Sequence, residues 1–124
     1  MTTSNFAEAA RRTIRLEAEA VTLLEERIDA AFDRACELIM QCTGRVIVTG
    51  MGKSGHIGRK IAASLASTGT PAFFVHPGEA SHGDLGMITR VDLVLALSNS
   101  GTTAEIITLL PLIKRMGLPL ISMT

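Results

Sequence analysis

Three short runs in this chain carry the residue types that do chemistry. The first is S-N-S-G-T-T at 98–103, behind an apolar run at 93–97 and ahead of a new apolar pattern that starts at Ala104 with Ile106, Ile107, Leu109 and Leu110. A strand that turns through Ser, Gly and Thr into a helix start makes an anion site. The first backbone N–H groups of the helix have no intrahelical partners, and the helix dipole adds partial positive charge there. Hydroxyls at alternate positions add donors, so this loop is expected to hold a phosphate group. The same residues have an ordinary use, because Thr102-x-x-Glu105 spells a capping box and Ser/Thr clusters are common turn chemistry. Glu105 thus has two compatible roles, helix cap or general base beside a bound sugar phosphate.

The second run is G-M-G-K-S-G at 50–55, which places the ammonium of Lys53 after another short apolar segment. An ammonium beside a phosphate-binding helix end can neutralise the anion or polarise a sugar oxygen. The third run holds His76 and His82, on either side of Gly78, with Asp84 close behind. Two histidines do not complete a zinc site, and a lone histidine at a strand end is more often structural.

Elements that position these runs follow from periodicity. Ile14, Val21, Leu24, Ile28, Ala31, Ala35 and Leu38 recur at helical spacing, so 6–41 reads as one long helix with room for a single break, ended by Gly44. A stripe this long exceeds the width of a small sheet, and its surplus suits a dimer surface. Strands are expected at 45–49, 72–75, 93–97 and 120–123. Helices are expected up to about Ser67 and from Ala104 to about Met116, with Pro111 as a possible kink and Gly117 as cap. The stretch 79–86 reads as a polar loop or short helix. Alternating strands and helices specify an α/β parallel sheet. In the flavodoxin-like order 2-1-3-4 the ligand crevice opens between strands one and three, the two that feed the glycine-containing loops. The expected organisation is an N-terminal helical segment, 1–44, and the first part of a sheet domain, 45–124. Ending on a strand makes that domain look incomplete at its C-terminus.

Composition narrows the class. Twelve basic and twelve acidic residues balance, so no global charge points to nucleic acid or a membrane surface. Four Phe and no Trp or Tyr leave an aliphatic core. Cys36 and Cys42 suggest neither a disulfide framework nor a zinc knuckle. No apolar run approaches the ~18 residues of a membrane helix, and the N-terminus has no signal-peptide pattern, so a cytoplasmic protein is expected. Gly50-x-Gly52-x-x-Gly55 matches the dinucleotide fingerprint, but His76 and Pro77 stand where an acidic residue should hold a ribose. A P-loop reading fails too, since its leading glycine would fall at Ile47.

V-I-V-T-G-M-G-K-S-G-H-I-G at 46–58, F-V-H-P-G-E-A-S-H-G-D-L-G-M at 74–87 and L-S-N-S-G-T-T-A-E at 97–105 together resemble the KpsF/GutQ/KdsD family of arabinose 5-phosphate isomerases, built on the SIS (sugar isomerase) domain. The resemblance implies interconversion of D-ribulose 5-phosphate and D-arabinose 5-phosphate through an enediol, feeding synthesis of Kdo for lipopolysaccharide. It implies Lys53 and Glu105 as catalytic residues, Ser98, Ser100 and Thr103 as the phosphate loop, and Gly69, Thr70 and His82 near the substrate. No cofactor is required, and His76 falls where members can bind an inhibitory zinc. Homodimers or homotetramers are implied, with crevices completed by a neighbouring subunit. Members continue with further catalytic residues and CBS domains, so this chain by itself is expected to bind sugar phosphate weakly and turn over poorly. The rival reading is a non-catalytic sugar-phosphate-binding module of a regulator, which needs the Ser/Thr loop but no acid–base pair.

Overall fold

The computed structural model describes residues 4–80 and 83–124. The chain divides into two compact units, one up to Arg34 and one from Ala35 onward. In the first, α1 spans Phe6–Leu23. Asn5 caps it by accepting the Glu8 N–H at 3.0 Å, and Arg15 bonds the Glu8 carboxylate at 2.8 Å. A 3-10 turn over Leu24–Arg27 breaks the helix, and α2 then runs over Ala30–Gln41. The break has a local cause. Ile28 is extended, and Asp29 starts a new helix by accepting the Ala31 N–H on its side chain.

The second unit is a four-stranded parallel sheet in the order β2-β1-β3-β4, as the sequence pattern predicted. Its elements are β1 (Val46–Gly50), α3 (Gly52–Ser67), β2 (Ala72–Phe74), a one-turn α4 (Pro77–Ala80), a 3-10 turn over Asp84–Met87, β3 (Leu93–Leu97), α5 (Ala104–Met116) and β4 (Leu120–Met123). Side chains alternate across the strands. Ile47 and Val94 face Ala80, Leu109 and Ile113, while Val46, Val48, Leu93, Leu95 and Leu97 face Ala62, Ile61 and Leu65. Helices therefore cover both sides, and β1 and β3 are buried throughout. Leu38, Ile39 and Cys42 pack on the α3 side, so the end of α2 belongs to the same compact unit as the sheet.

Two expectations are corrected here. Gly44 is not a left-handed helix cap; α2 has ended by Gln41, and glycine is needed because a methyl there would lie 2.5 Å from Asp92 Oδ1 and 2.6 Å from the Val91 carbonyl. The run 50–55 is also less of a loop than its glycines suggest, because α3 already starts at Gly52, whose φ of +56° favours glycine. Asp92 ties the amino ends of the two central strands together. Its carboxylate accepts the Arg45 N–H and the Thr89 N–H, each at 2.7 Å, and the Arg45 guanidinium lies 3.7 Å away.

Candidate functional site

Adjacent parallel strands bring the two predicted loops together. Gly50 and Leu97, the last residues of β1 and β3, are register partners. Each strand leads into a helix start. Met51 is the N-cap of α3 and Thr103 that of α5, and neither helix has a side-chain cap. Two sets of free helix N–H groups and two positive dipole ends thus lie past the same edge of the sheet. Lys53, in the first turn of α3, adds a full positive charge.

A cleft of about 370 Å³ opens at this edge, lined by Lys53, Ser54 and Ile57 from α3, Leu97, Ser98 and Asn99 from β3 and its loop, and Met123 and Thr124 from β4. Lys53 and Ser98 therefore line one opening, as the switch-point argument requires. Ser54, Ile57, Asn99, Met123 and Thr124 were missed by sequence reasoning. A signal existed for most of them: Ile57 lies one helical turn beyond Lys53, Asn99 sits inside the Ser/Thr run, and the order 2-1-3-4 places the end of β4 beside Ser98. The Ser98 N–H bonds the Met123 carbonyl at 2.9 Å, which fixes that wall.

The loop itself is tightly wired. Ser98 is buried; its Oγ accepts the Gly101 N–H at 3.0 Å and lies 2.6 Å from Thr103 Oγ1. Ser100 Oγ accepts the Thr102 N–H at 3.1 Å and the Thr102 hydroxyl at 3.2 Å. Gly101, at φ +73°, makes the reversal. The capping box read from Thr102 does not form. Thr103 holds the N-cap position and spends its hydroxyl on Ser98, which moves Glu105 to the second helical residue, one short of the place a capping box needs. Glu105 is exposed in the first turn of α5. Ser100, Thr103 and Glu105 are not among the residues lining the cleft.

The other expected site residues lie elsewhere. Gly69 and Thr70 sit in the turn between α3 and β2, where Pro71 O accepts the Val46 N–H at the start of β1. That is the amino edge of the sheet, one strand length, about 15 Å, from the Lys53 edge. The fold does not bring them to this cleft within one chain. His76 follows β2, half-buried, with Nδ1 accepting the Gly78 N–H at 3.1 Å. Only its Nε2 is left for a ligand. Among the described residues no group of three or more His, Cys, Asp or Glu side chains comes together as a metal site, and no step is routed through a zinc ion. His82 lies outside the described residues. No helix among those described is long and apolar enough to cross a membrane.

Comparison with known proteins agrees with this architecture. The model of the SIS domain family matches residues 39–124. The chain belongs to the SIS domain family. The chain is similar to arabinose 5-phosphate isomerase KdsD of Pseudomonas aeruginosa, 68% identical over 97% of this chain and 37% of that protein. The KdsD of Yersinia pestis is 59% identical over the same shares. Among solved structures, an Escherichia coli CFT073 protein in complex with arabinose 5-phosphate superimposes on the SIS chain with a TM-score of 0.91 at 44% identity, covering 98% of this chain and 65% of that one. The chain thus spans somewhat more than a third of the length of the curated relatives it matches.

Proposed function

We propose that the chain is the sugar-phosphate-binding part of an aldose–ketose isomerase that interconverts D-ribulose 5-phosphate and D-arabinose 5-phosphate. The observation that carries this reading is the single cleft shared by Lys53 and the Ser98 loop at the meeting point of two helix N-termini. The KdsD names of the relatives and the arabinose 5-phosphate complex of the structural neighbour supply the substrate. The phosphate is held by Ser98, Ser100, Thr103 and the free N–H groups of α5. Glu105 is the base. It removes a proton from C1 of the ketose, the electrons form the C1–C2 double bond of an enediol, and Lys53 stabilises charge on the oxygen as it develops. Proton return to C2, with the O1 proton passing to O2, gives the aldose. The change is internally redox-balanced, so it asks for no redox cofactor. An inhibitory zinc at His76 would need ligands from elsewhere.

Gly69 and Thr70, at the far edge of the sheet, reach a substrate only on a neighbouring copy of the chain. The protein works as a homodimer or homotetramer in the cytoplasm, binds neither nucleic acid nor membrane, and supplies arabinose 5-phosphate for Kdo and lipopolysaccharide. The test is turnover of ribulose 5-phosphate by the full-length protein. Lys53→Ala and Glu105→Gln are each expected to lower kcat by about 100-fold or more. Turnover kept within about threefold, under ~1 kcal/mol of barrier, removes that residue from the mechanism. If the unsubstituted full-length protein binds arabinose 5-phosphate but does not turn ribulose 5-phosphate over, a binding module without acid–base chemistry becomes the better reading.

A further inference from the structure

We propose that Gly50 and Gly55 are positioning residues for the isomerisation, because the backbone contact they permit sets the width of the cleft between Lys53 and Ser98. The proposal rests on the function assigned above. A methyl group on Gly50 would lie 3.1 Å from the Ser54 carbonyl carbon, 3.2 Å from the Gly55 nitrogen and 3.2 Å from the Leu97 carbonyl oxygen. These backbone atoms belong to the two walls of the cleft: Ser54 follows Lys53, and Leu97 precedes Ser98. A methyl on Gly55 would lie 2.6 Å from the Gly50 oxygen. Neither glycine has a positive φ, so neither is needed for a turn; each is needed for proximity.

The neighbours cannot yield as a side chain would. The Gly50 carbonyl belongs to a buried strand paired residue by residue with β3, and Ser54 and Gly55 belong to the first turn of α3. Relief must come from lifting that turn off the strand, and Lys53 moves with it. Gly58 is the internal control. It lies one turn along the same helix, also buried, but a methyl there would meet side chains, the Phe74 ring at 3.1 Å and Val48 Cγ1 at 3.2 Å. Gly58→Ala therefore disturbs helix packing without touching the contact beside Lys53.

The experiment is steady-state isomerisation of ribulose 5-phosphate by the full-length protein carrying Gly55→Ala, Gly50→Ala or Gly58→Ala, with Lys53→Ala and the Gly55→Ala/Lys53→Ala double variant, and thermal midpoints for all. Displacing a reacting group by about 1 Å costs up to 100-fold, so Gly55→Ala should lower kcat at least about tenfold, and Gly58→Ala should keep it within about threefold at a similar midpoint. The double variant should be no slower than Lys53→Ala alone, which a merely structural loss would not produce. If Gly55→Ala does not fold, Gly50→Ala, with the smaller overlap, carries the same comparison. Wild-type kcat in the folded variant, or a loss that multiplies with that of Lys53→Ala, overturns the proposal. Should Lys53→Ala itself isomerise normally, Lys53 leaves the mechanism and this proposal falls while the isomerase reading stands; absence of turnover by the unsubstituted protein would instead overturn that reading.

Discussion

Ser98 and Ser100 differ in what they have left to give a ligand. Ser98 is buried and engaged by both Gly101 and Thr103, whereas Ser100 is exposed and bonds only within its own turn. Ser100→Ala should therefore leave the loop standing while removing one donor to phosphate. A lost hydrogen bond to a charged group is worth about 1.5–3 kcal/mol, or roughly 10–100-fold in Kd for arabinose 5-phosphate by calorimetry. Unchanged affinity would remove Ser100 from the phosphate contacts. Asp92 works at the other edge. Burial pushes its carboxyl up, but the N–H groups of Thr89 and Arg45 and the Arg45 charge outweigh that and hold it below the usual range. A carboxyl depressed in the folded state stabilises the fold above its unfolded pKa, and that contribution is lost as pH falls through the folded value. Asp92→Asn should cost on the order of 1–3 kcal/mol at neutral pH. Urea midpoints should show the gap from wild type closing as pH falls below about 4; a gap independent of pH in that range would contradict the assignment.

At the scale of elements, the site depends on two helices that start at one edge of the sheet. α5 is held by Leu109 and Ile113 against the face shared with Ile47 and Val94, Ile106 is buried as well, and Pro111 sits within the helix without ending it. Its far end is fixed by Gly117 at φ +70°, whose N–H returns to the carbonyls of Ile113 and Lys114. A methyl on Gly117 would touch nothing within 4 Å, so its only cost is the left-handed backbone. Gly117→Ala should destabilise by about 1 kcal/mol in chemical denaturation, with isomerase activity unchanged. A much larger loss would mean that the turn into β4 carries more than a cap.

For the whole molecule, the first unit leaves Phe6, Ile14, Val21, Leu24 and Ile28 each at least half exposed, and α1 buries none of its residues. An amphipathic helix with its apolar stripe in water is a poor monomer surface, and a second copy is the occupant that the homo-oligomer reading supplies. Val21→Glu with Leu24→Glu should lower the sedimentation mass of the full-length protein without unfolding it, since both positions are exposed in the single chain. An unchanged mass would place the interface elsewhere. Because the chain spans only a fraction of its relatives' length, it should bind arabinose 5-phosphate more weakly than the full-length protein in a direct titration; equal affinity would show that the cleft in this chain holds every contact that matters.

The sequence by itself determined the four strands, the ends of α5, the cap at Gly117 and the two glycine-containing runs, while the strand order came from the likeness to a flavodoxin-like fold. Those features rest on local signals: apolar runs, helical spacing and a glycine where φ must be positive. Tertiary structure alone decided three things. Thr103 rather than Thr102 caps α5, and its hydroxyl is engaged with Ser98 across the loop. Gly44, Gly50 and Gly55 are glycines of close approach, which a sequence cannot separate from glycines of turns, since the neighbour that forbids a Cβ comes from a distant strand or across a turn. Gly69 and Thr70 fall on the opposite edge from Lys53 because a parallel crossover returns the chain to the start of the next strand, and only the assembled sheet gives that edge its distance from the phosphate loop.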